Sequence, residues 1–252
     1  TRSMKRLEEE LGVTIFSRSK NRLELTKTGE MAASYAARII SVTEDFGTRV
    51  RAYDRSLKTI SIGYCAPVPQ SVLTPIINNL FDGMTISADM SDDDAFEEML
   101  KDDILQLAVT HKRPEDPAFH SMKIGRESLY ISLTAGNPLS FYPEIRLSDL
   151  NGLTILLLSR IGFWSKIHRS KTPDSKYLLQ VDDDSFLELA TNSEYPIFTS
   201  SYFINRGETL PGRINIPISD PECTADFYLV CLESEYERYG KLFDHLREDS
   251  IR

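Results

Sequence analysis

The run MKRLEEELGVTIFSRSKNRLELTKTGE, residues 4–30, decides the architecture. Met4, Leu7 and Leu11 recur at i, i+3 and i+7, so Thr1–Leu11 is predicted as one helix with an apolar stripe. Thr1 is placed to cap its start, and Gly12 stands where a left-handed C-cap is wanted. Arg2, Ser3, Lys5 and Arg6 then project from the early turns, where a helix presents groups to base edges and phosphates. Val13–Phe16 and Arg22–Leu25 read as short strands around a basic tip, Ser17–Asn21. A helix followed by such a hairpin is a winged helix-turn-helix layout. Arg18, Lys20 and Arg22 at its tip suit the phosphate backbone, which gives affinity without base reading.

Outward from residue 29 the period changes. Met31, Tyr35, Ile39, Val42, Phe46, Val50, Tyr53 and Leu57 form a heptad-like stripe, predicting a helix over 29–58 with Thr26 or Thr28 as its cap. At about 1.5 Å per residue this helix is roughly 40 Å long. A stripe of that length needs a partner, and a symmetric dimer is expected over packing on the rest of the chain.

Charge divides at the same place. Residues 1–58 carry 12 Lys/Arg against 8 Asp/Glu, a surplus of four positive charges. Residues 59–252 carry 17 against 30, a net −13. A basic start is drawn to phosphate and an acidic body is repelled by it. No stretch approaches the ~18 apolar residues of a membrane span. Cys65, Cys223 and Cys231 make no even set and no CxxC pair, so free thiols in a reducing compartment are expected.

With those residues in hand, the opening run closely resembles the end of the LysR-type DNA-binding domain. A Ser or Thr opens the recognition helix in that family, followed by Leu-Glu, Leu-Gly, a Phe-x-Arg on the wing and a Leu-Thr-x-x-Gly leading into the linker helix. Thr1, Leu7-Glu8, Leu11-Gly12, Phe16 with Arg18, Leu25-Thr26 and Gly29 stand in that order here. The family's helices upstream of the recognition helix have no counterpart in the run, so the sequence is expected to be an N-terminally truncated piece of a cytoplasmic protein.

From residue 59 the chain alternates strands and helices, predicting an α/β sheet domain. Strands are expected at Thr59–Tyr64, Thr85–Met90, Leu105–Thr110, Leu129–Thr134, Leu153–Leu158, Ile197–Ser200 and Phe227–Leu232. Helices are expected at Val72–Phe81, Ala95–Leu100, Asp184–Thr191 and Glu233–Arg247. Asn137-Pro138-Leu139-Ser140 followed by Leu147–Gly152 is similar to a stretch of the LysR regulatory domain, with Asn137 where the family has His. The resemblance implies a two-lobed fold like a type 2 periplasmic binding protein. Lobe I would be about 59–135 and 216–252, and lobe II about 136–215.

In such a sheet ligands sit at the carboxyl ends of strands, at the cleft between lobes. Four segments are expected to converge there. These are Cys65–Gln70 with Ala66, Pro67 and Gln70, then Thr110-His111, then Ser159–Trp164 with Ser159, Arg160 and Trp164, and finally Phe198–Ser201 with Thr199 and Ser200. Pro67 and Pro69 remove two N–H donors from the helix start, which argues against a simple anion; Arg160 is the best cation if there is one.

Asp92–Asp94 and Asp182–Asp184 each precede a predicted helix and are read as caps rather than a metal site. The four histidines match no metal-ligand spacing, and no nucleophile elbow, phosphate-binding glycine loop or Cys/His pair appears, so no catalytic residue and no cofactor is expected. The resemblance implies a DNA-binding transcription regulator controlled by a small-molecule effector. It would dimerise through the linker helix, pair further into tetramers, and have no membrane partner. The alternative is a small-molecule-binding module without DNA-binding activity.

Overall fold

The computed structural model describes residues 2–19 and 22–248, so Thr1 and Lys20 lie outside the described residues, as do the side chains of Arg18 and Arg22. The chain divides into two compact units, Thr1–Arg55 and Ser56–Arg252.

The first unit comprises α1 (Arg2–Leu11), β1 (Phe16–Ser19), β2 (Arg22–Leu25) and α2 (Lys27–Ser56). Gly12 ends α1 at φ 65°, in the left-handed conformation expected of it. The first strand lies further along than Val13–Phe16. Val13 N–H donates back to Glu8 O (3.2 Å), and Glu8 Oε1 accepts from the N–H groups of Ile15 (2.7 Å) and Phe16 (2.9 Å). The chain leaving α1 is therefore tied to the helix before it can pair, and the hairpin begins at Phe16↔Leu25.

Thr26 is the cap of α2. Its hydroxyl accepts from Gly29 N–H (2.9 Å) and donates to Thr14 O (2.7 Å), while its own N–H donates to Ile15 O (2.9 Å). A Cβ at Gly29 would fall far inside contact distance of the Ile15 carbonyl, so the helix can approach the buried Ile15 only with glycine there. Gly29→Ala is thus expected to destabilise this unit by about 1–3 kcal/mol, as overpacking does. Limited proteolysis should show faster cutting around residues 13–30 and an unchanged second unit. α2 has 30 residues and is roughly 45 Å long. The eight residues of its predicted stripe are 51–68% exposed.

The second unit comprises β3 (Thr59–Tyr64), α3 (Pro67–Leu80), β4 (Thr85–Met90), α4 (Phe96–Lys101), β5 (Leu107–Thr110), β6 (Phe119–Thr134), β7 (Thr154–Leu158), α5 (Trp164–Lys171), β8 (Lys176–Gln180), α6 (Asp183–Asn192), β9 (Ile197–Ser200), α7 (Ser201–Asn205), β10 (Arg213–Pro217), β11 (Thr224–Leu232) and α8 (Tyr236–Glu248). Short 3-10 turns join several of them. The strand order is β4-β3-β5-β11-β6-β9-β7-β8, with β10 also on β6. β3 pairs in parallel with β4 and β5, and β7 in parallel with β8 and β9.

β6 belongs to both halves. Residues 119–128 pair with β11, whereas Leu129–Ser132 pair with β9 and Tyr130–Thr134 with β10. The changeover from one lobe to the other therefore runs through the middle of one strand, between Ser128 and Leu129. On the lobe I side Ile60, Ile62, Leu107 and Val109 of the central parallel strands are fully buried, covered by Leu73 and Ile77 of α3 and by Tyr239, Leu242 and Phe243 of α8. Each such side chain contributes about 1.5–3 kcal/mol by leaving water.

α3 starts at Pro67, well before Val72, because proline is tolerated in a helix's first turn, where its missing N–H has no intrahelical partner. β6 begins at Phe119, ten residues before Leu129.

Candidate functional site

Two of the expected segments meet directly. Phe163 N–H donates to Cys65 O (2.9 Å), and Gly162, at φ 60°, lies so close that any Cβ would overlap the Cys65 carbonyl. The loop after β7 is thereby locked onto the end of β3. Ile161, Phe163 and Trp164 are buried there. Phe163 stacks on His111, just past β5, with ring centroids 4.3 Å apart, lies tilted against Trp164 at 4.2 Å, and meets Phe227 of β11 edge-on.

Charged groups rim this joint. Arg160 reaches Asp89 at 2.9 Å, and Lys166 pairs with Asp92 and with Asp94 (2.7 Å). Those two carboxylates raise the Lys166 ammonium above its usual range. Asp93 accepts from His111 N–H (2.7 Å), and His111 Nδ1 lies 2.8 Å from both Asp93 oxygens. Asp92 caps the turn before α4 by accepting from Asp94 N–H, and Asp182 caps α6 through Ser185 N–H. The Asp92–Asp94 carboxylates are near enough to one another to share a cation, but each already has a partner inside the protein.

The remaining expected residues fare unequally. Ser200 is 2% exposed, whereas strand alternation turns Thr199 to the opposite face of β9, so the two cannot line one pocket wall. Thr110 spends its hydroxyl on Lys112 O (2.7 Å). Ala66 is buried beneath the joint, Pro67 and Gln70 are half-buried in the first turn of α3, and Ser159 is exposed at the end of β7. Arg160 is exposed and already salt-bridged.

A residue outside the expected set stands at the centre. Glu127 of β6 is 4% exposed, and no hydrogen-bond partner meets its Oε2 among the described residues. Burial pushes its carboxyl up to about 7; Ser200 stands close enough to draw it back down but not in hydrogen-bonding geometry. Burial likewise raises the Cys65 thiol, with Asp93, Glu127 and Asp92 adding to it. Trp164 Nε1 and His168 Nδ1 are also buried without partners among the described residues. His168 stacks on Phe198 at 3.9 Å, and burial alone lowers its imidazole to about 4. Alternation along β6 was the available signal: Glu127 is in phase with the buried Leu129, Ile131 and Leu133.

On the first unit, Arg2, Ser3, Lys5 and Arg6 are exposed along α1, with Arg6 paired to Glu10 at 3.0 Å. Arg18 and Arg22 are placed by register on the two hairpin strands, opposite Leu23 and Ser19. Met4, Leu7 and Leu11 are exposed on α1.

The described residues thus comprise a helix-plus-wing unit, a long helix with an exposed apolar stripe and a two-lobed α/β sheet domain with a closely packed joint at strand ends. Residues 55–249 match the family described as LysR substrate binding domain, and the chain belongs to the LysR family. It is 28% identical over 169 residues to the HTH-type transcriptional regulator TcbR of Pseudomonas sp. (strain P51), covering 64% of this chain and 56% of that protein. To the HTH-type transcriptional regulator YwqM of Bacillus subtilis (strain 168) it is 27% identical over 163 residues, covering 62% and 55%. The match thus spans about half the length of these relatives. Full-length BenM superposes with a TM-score of 0.54 at 19% identity over 98% of this chain and 85% of that one. The effector binding domain of a BenM variant superposes at 0.52 with 20% identity, covering 76% and 94%. The fold is accordingly the helix-and-wing, linker helix and two-lobed domain of that family. No helix among the described residues is long and apolar enough to cross a membrane.

Proposed function

We propose that this chain acts as a DNA-binding transcriptional regulator whose operator affinity is set by a small molecule held between the lobes of residues 59–252. The observation that carries the reading is the build of the first unit. α1 exposes Arg2, Lys5 and Arg6 along one side, and Glu8 and Thr26 fasten it to the wing and to α2. A cationic helix held at a fixed angle to a hairpin suits a major groove and its flanking phosphates, with Arg18 and Arg22 at the backbone. The curated relatives, named as HTH-type transcriptional regulators, support the same reading. Such a protein works in the cytoplasm, without turnover chemistry and without a cofactor. Electrophoretic mobility shift with the complete protein and the DNA upstream of its own gene tests it. Sequence-selective binding that weakens steeply with salt is expected. Binding indifferent to sequence and salt would leave only a small-molecule-binding module.

The stripe on α2 supports a symmetric dimer, since two such helices bury each other's apolar faces and space two reading heads for two half-sites. Phe46→Glu would place a carboxylate in that seam. Sedimentation velocity is expected to show dimerisation weakened by at least about a hundredfold, the cost of burying an unpaired charge. An unchanged dimer would remove α2 from the interface. Further pairing into tetramers is proposed to run through the second unit.

A further inference from the structure

We propose that the interlobe cleft selects a small organic cation, a protonated amine or amidine on a compact apolar body, with Glu127 and Ser200 holding the positive head and Phe163 and Trp164 covering the body. The inference rests on the small-molecule reading above and narrows it to a charge class.

Position argues first. Glu127 sits at the strand register where β6 passes from β11 of one lobe to β9 of the other, the strand that ends at Ser200. A ligand bound at that point touches both lobes at once, which is what an effector must do to bias their arrangement. Satisfaction argues second. Buried carboxylates are ordinarily paired or hydrogen-bonded, yet Glu127 Oε2 and Ser200 Oγ are buried without partners among the described residues. Of the cations at the joint, Arg160 is held by Asp89 and Lys166 by Asp92 and Asp94. An ammonium or amidinium supplies the missing donors as charge-assisted hydrogen bonds.

Sign argues third. An anion would meet Glu127 inside and Asp89, Asp92, Asp93 and Asp94 at the rim, and the first turn of α3 has proline at 67 and 69, leaving few N–H donors to receive it. Aromatic faces complete a cation site, and Phe163 and Trp164 stand in the joint locked against Cys65. Since those rings fill the joint, binding requires them to move, and Trp164 is the single tryptophan of the chain, so its fluorescence reports on this cleft alone.

The test uses the intact protein with three probes of similar shape: benzamidine, benzylamine and benzoate. Thermal shift and Trp164 fluorescence titration are read for each. Benzamidine or benzylamine is expected to raise Tm and change the fluorescence, and benzoate to do neither. Glu127→Gln keeps the shape and removes the charge; it is expected to weaken the cation by roughly 10- to 150-fold. Ser200→Ala, a smaller change in a folded protein, should weaken it by roughly 2- to 10-fold. Benzoate binding that survives Glu127→Gln would overturn the charge class while leaving a ligand cleft in place. Silence of both readouts to all three probes would overturn the cation site and count against the ligand-sensing reading as well, whereas DNA binding would be unaffected by either result.

Discussion

Gly162→Ala is expected to lower the stability of the sheet domain by roughly 3–6 kcal/mol and to expose Trp164 to water. Three costs combine. At φ 60° an alanine is strained by about 1–2 kcal/mol. Its Cβ would overlap the Cys65 carbonyl, and backbone displacement of that kind costs about 1–3 kcal/mol. The displaced loop also loses the Phe163 N–H to Cys65 O hydrogen bond, worth about 1 kcal/mol. For a domain of this size the sum lowers Tm by about 10–20 °C. Gly212 is the control: it has φ 73° but open space around its Cα, so Gly212→Ala carries the strain alone and should lower Tm by about 2–8 °C. A red-shifted Trp164 emission is expected in Gly162→Ala only. Equal melting of the two variants would show that the β7 loop is not fastened to β3.

That joint was only half legible from the residues. The segments that form it were recognisable because β3, β4 and β9 are short, strongly patterned strands whose ends could be read to the residue. The loops following β3 and β9 then fell into place by the rule that sites gather at strand ends. β6 behaved otherwise. Its first part, Phe119–Ser128, mixes Lys123, Gly125 and Arg126 among the buried residues, and its pairing with β11 shifts register between Phe227 and Tyr228. A bulge breaks the two-residue period that marks a strand. Glu127 was hidden in that stretch, a lone acid between Arg126 and Ser128 whose one mark of burial is its phase with Leu129, Ile131 and Leu133. α5 escaped for a related reason: only Trp164 and His168, one turn apart, are buried on it, too few to show a stripe. The sequence offers Arg160 as the cation for an anionic effector, and only tertiary packing shows that Asp89 already holds it. The first unit was clearer because its signals are local, the left-handed Gly12, the Thr26 cap and Gly29 all lying within a few residues of what they control.

Glu127 and His168 should tilt the stability of the domain in opposite directions with pH, and single substitutions should separate them. For Glu127 the folded value, about 7, lies above the ordinary 4.5, so its contribution is fully present below pH 4.5 and is lost as pH rises through 7. For His168 the folded value, about 4, lies below the ordinary 6.5, so its contribution is fully present above pH 6.5 and is lost as pH falls through 4. Each difference amounts to about 3 kcal/mol at full extent. Between pH 4.5 and 6.5 the two slopes, each about 1.4 kcal/mol per unit, nearly cancel in the native chain. Burial, partly offset by Ser200, acts on Glu127, while burial alone acts on His168. Urea unfolding across pH 4–8 is the measurement. Relative to the native chain, Glu127→Gln should gain about 3 kcal/mol as pH rises from 4.5 to 7, and His168→Gln should gain as much as pH falls from 6.5 to 4. Differences that stay flat with pH would mean that water reaches both side chains, and the joint would then not be the dry crossing on which the cleft depends.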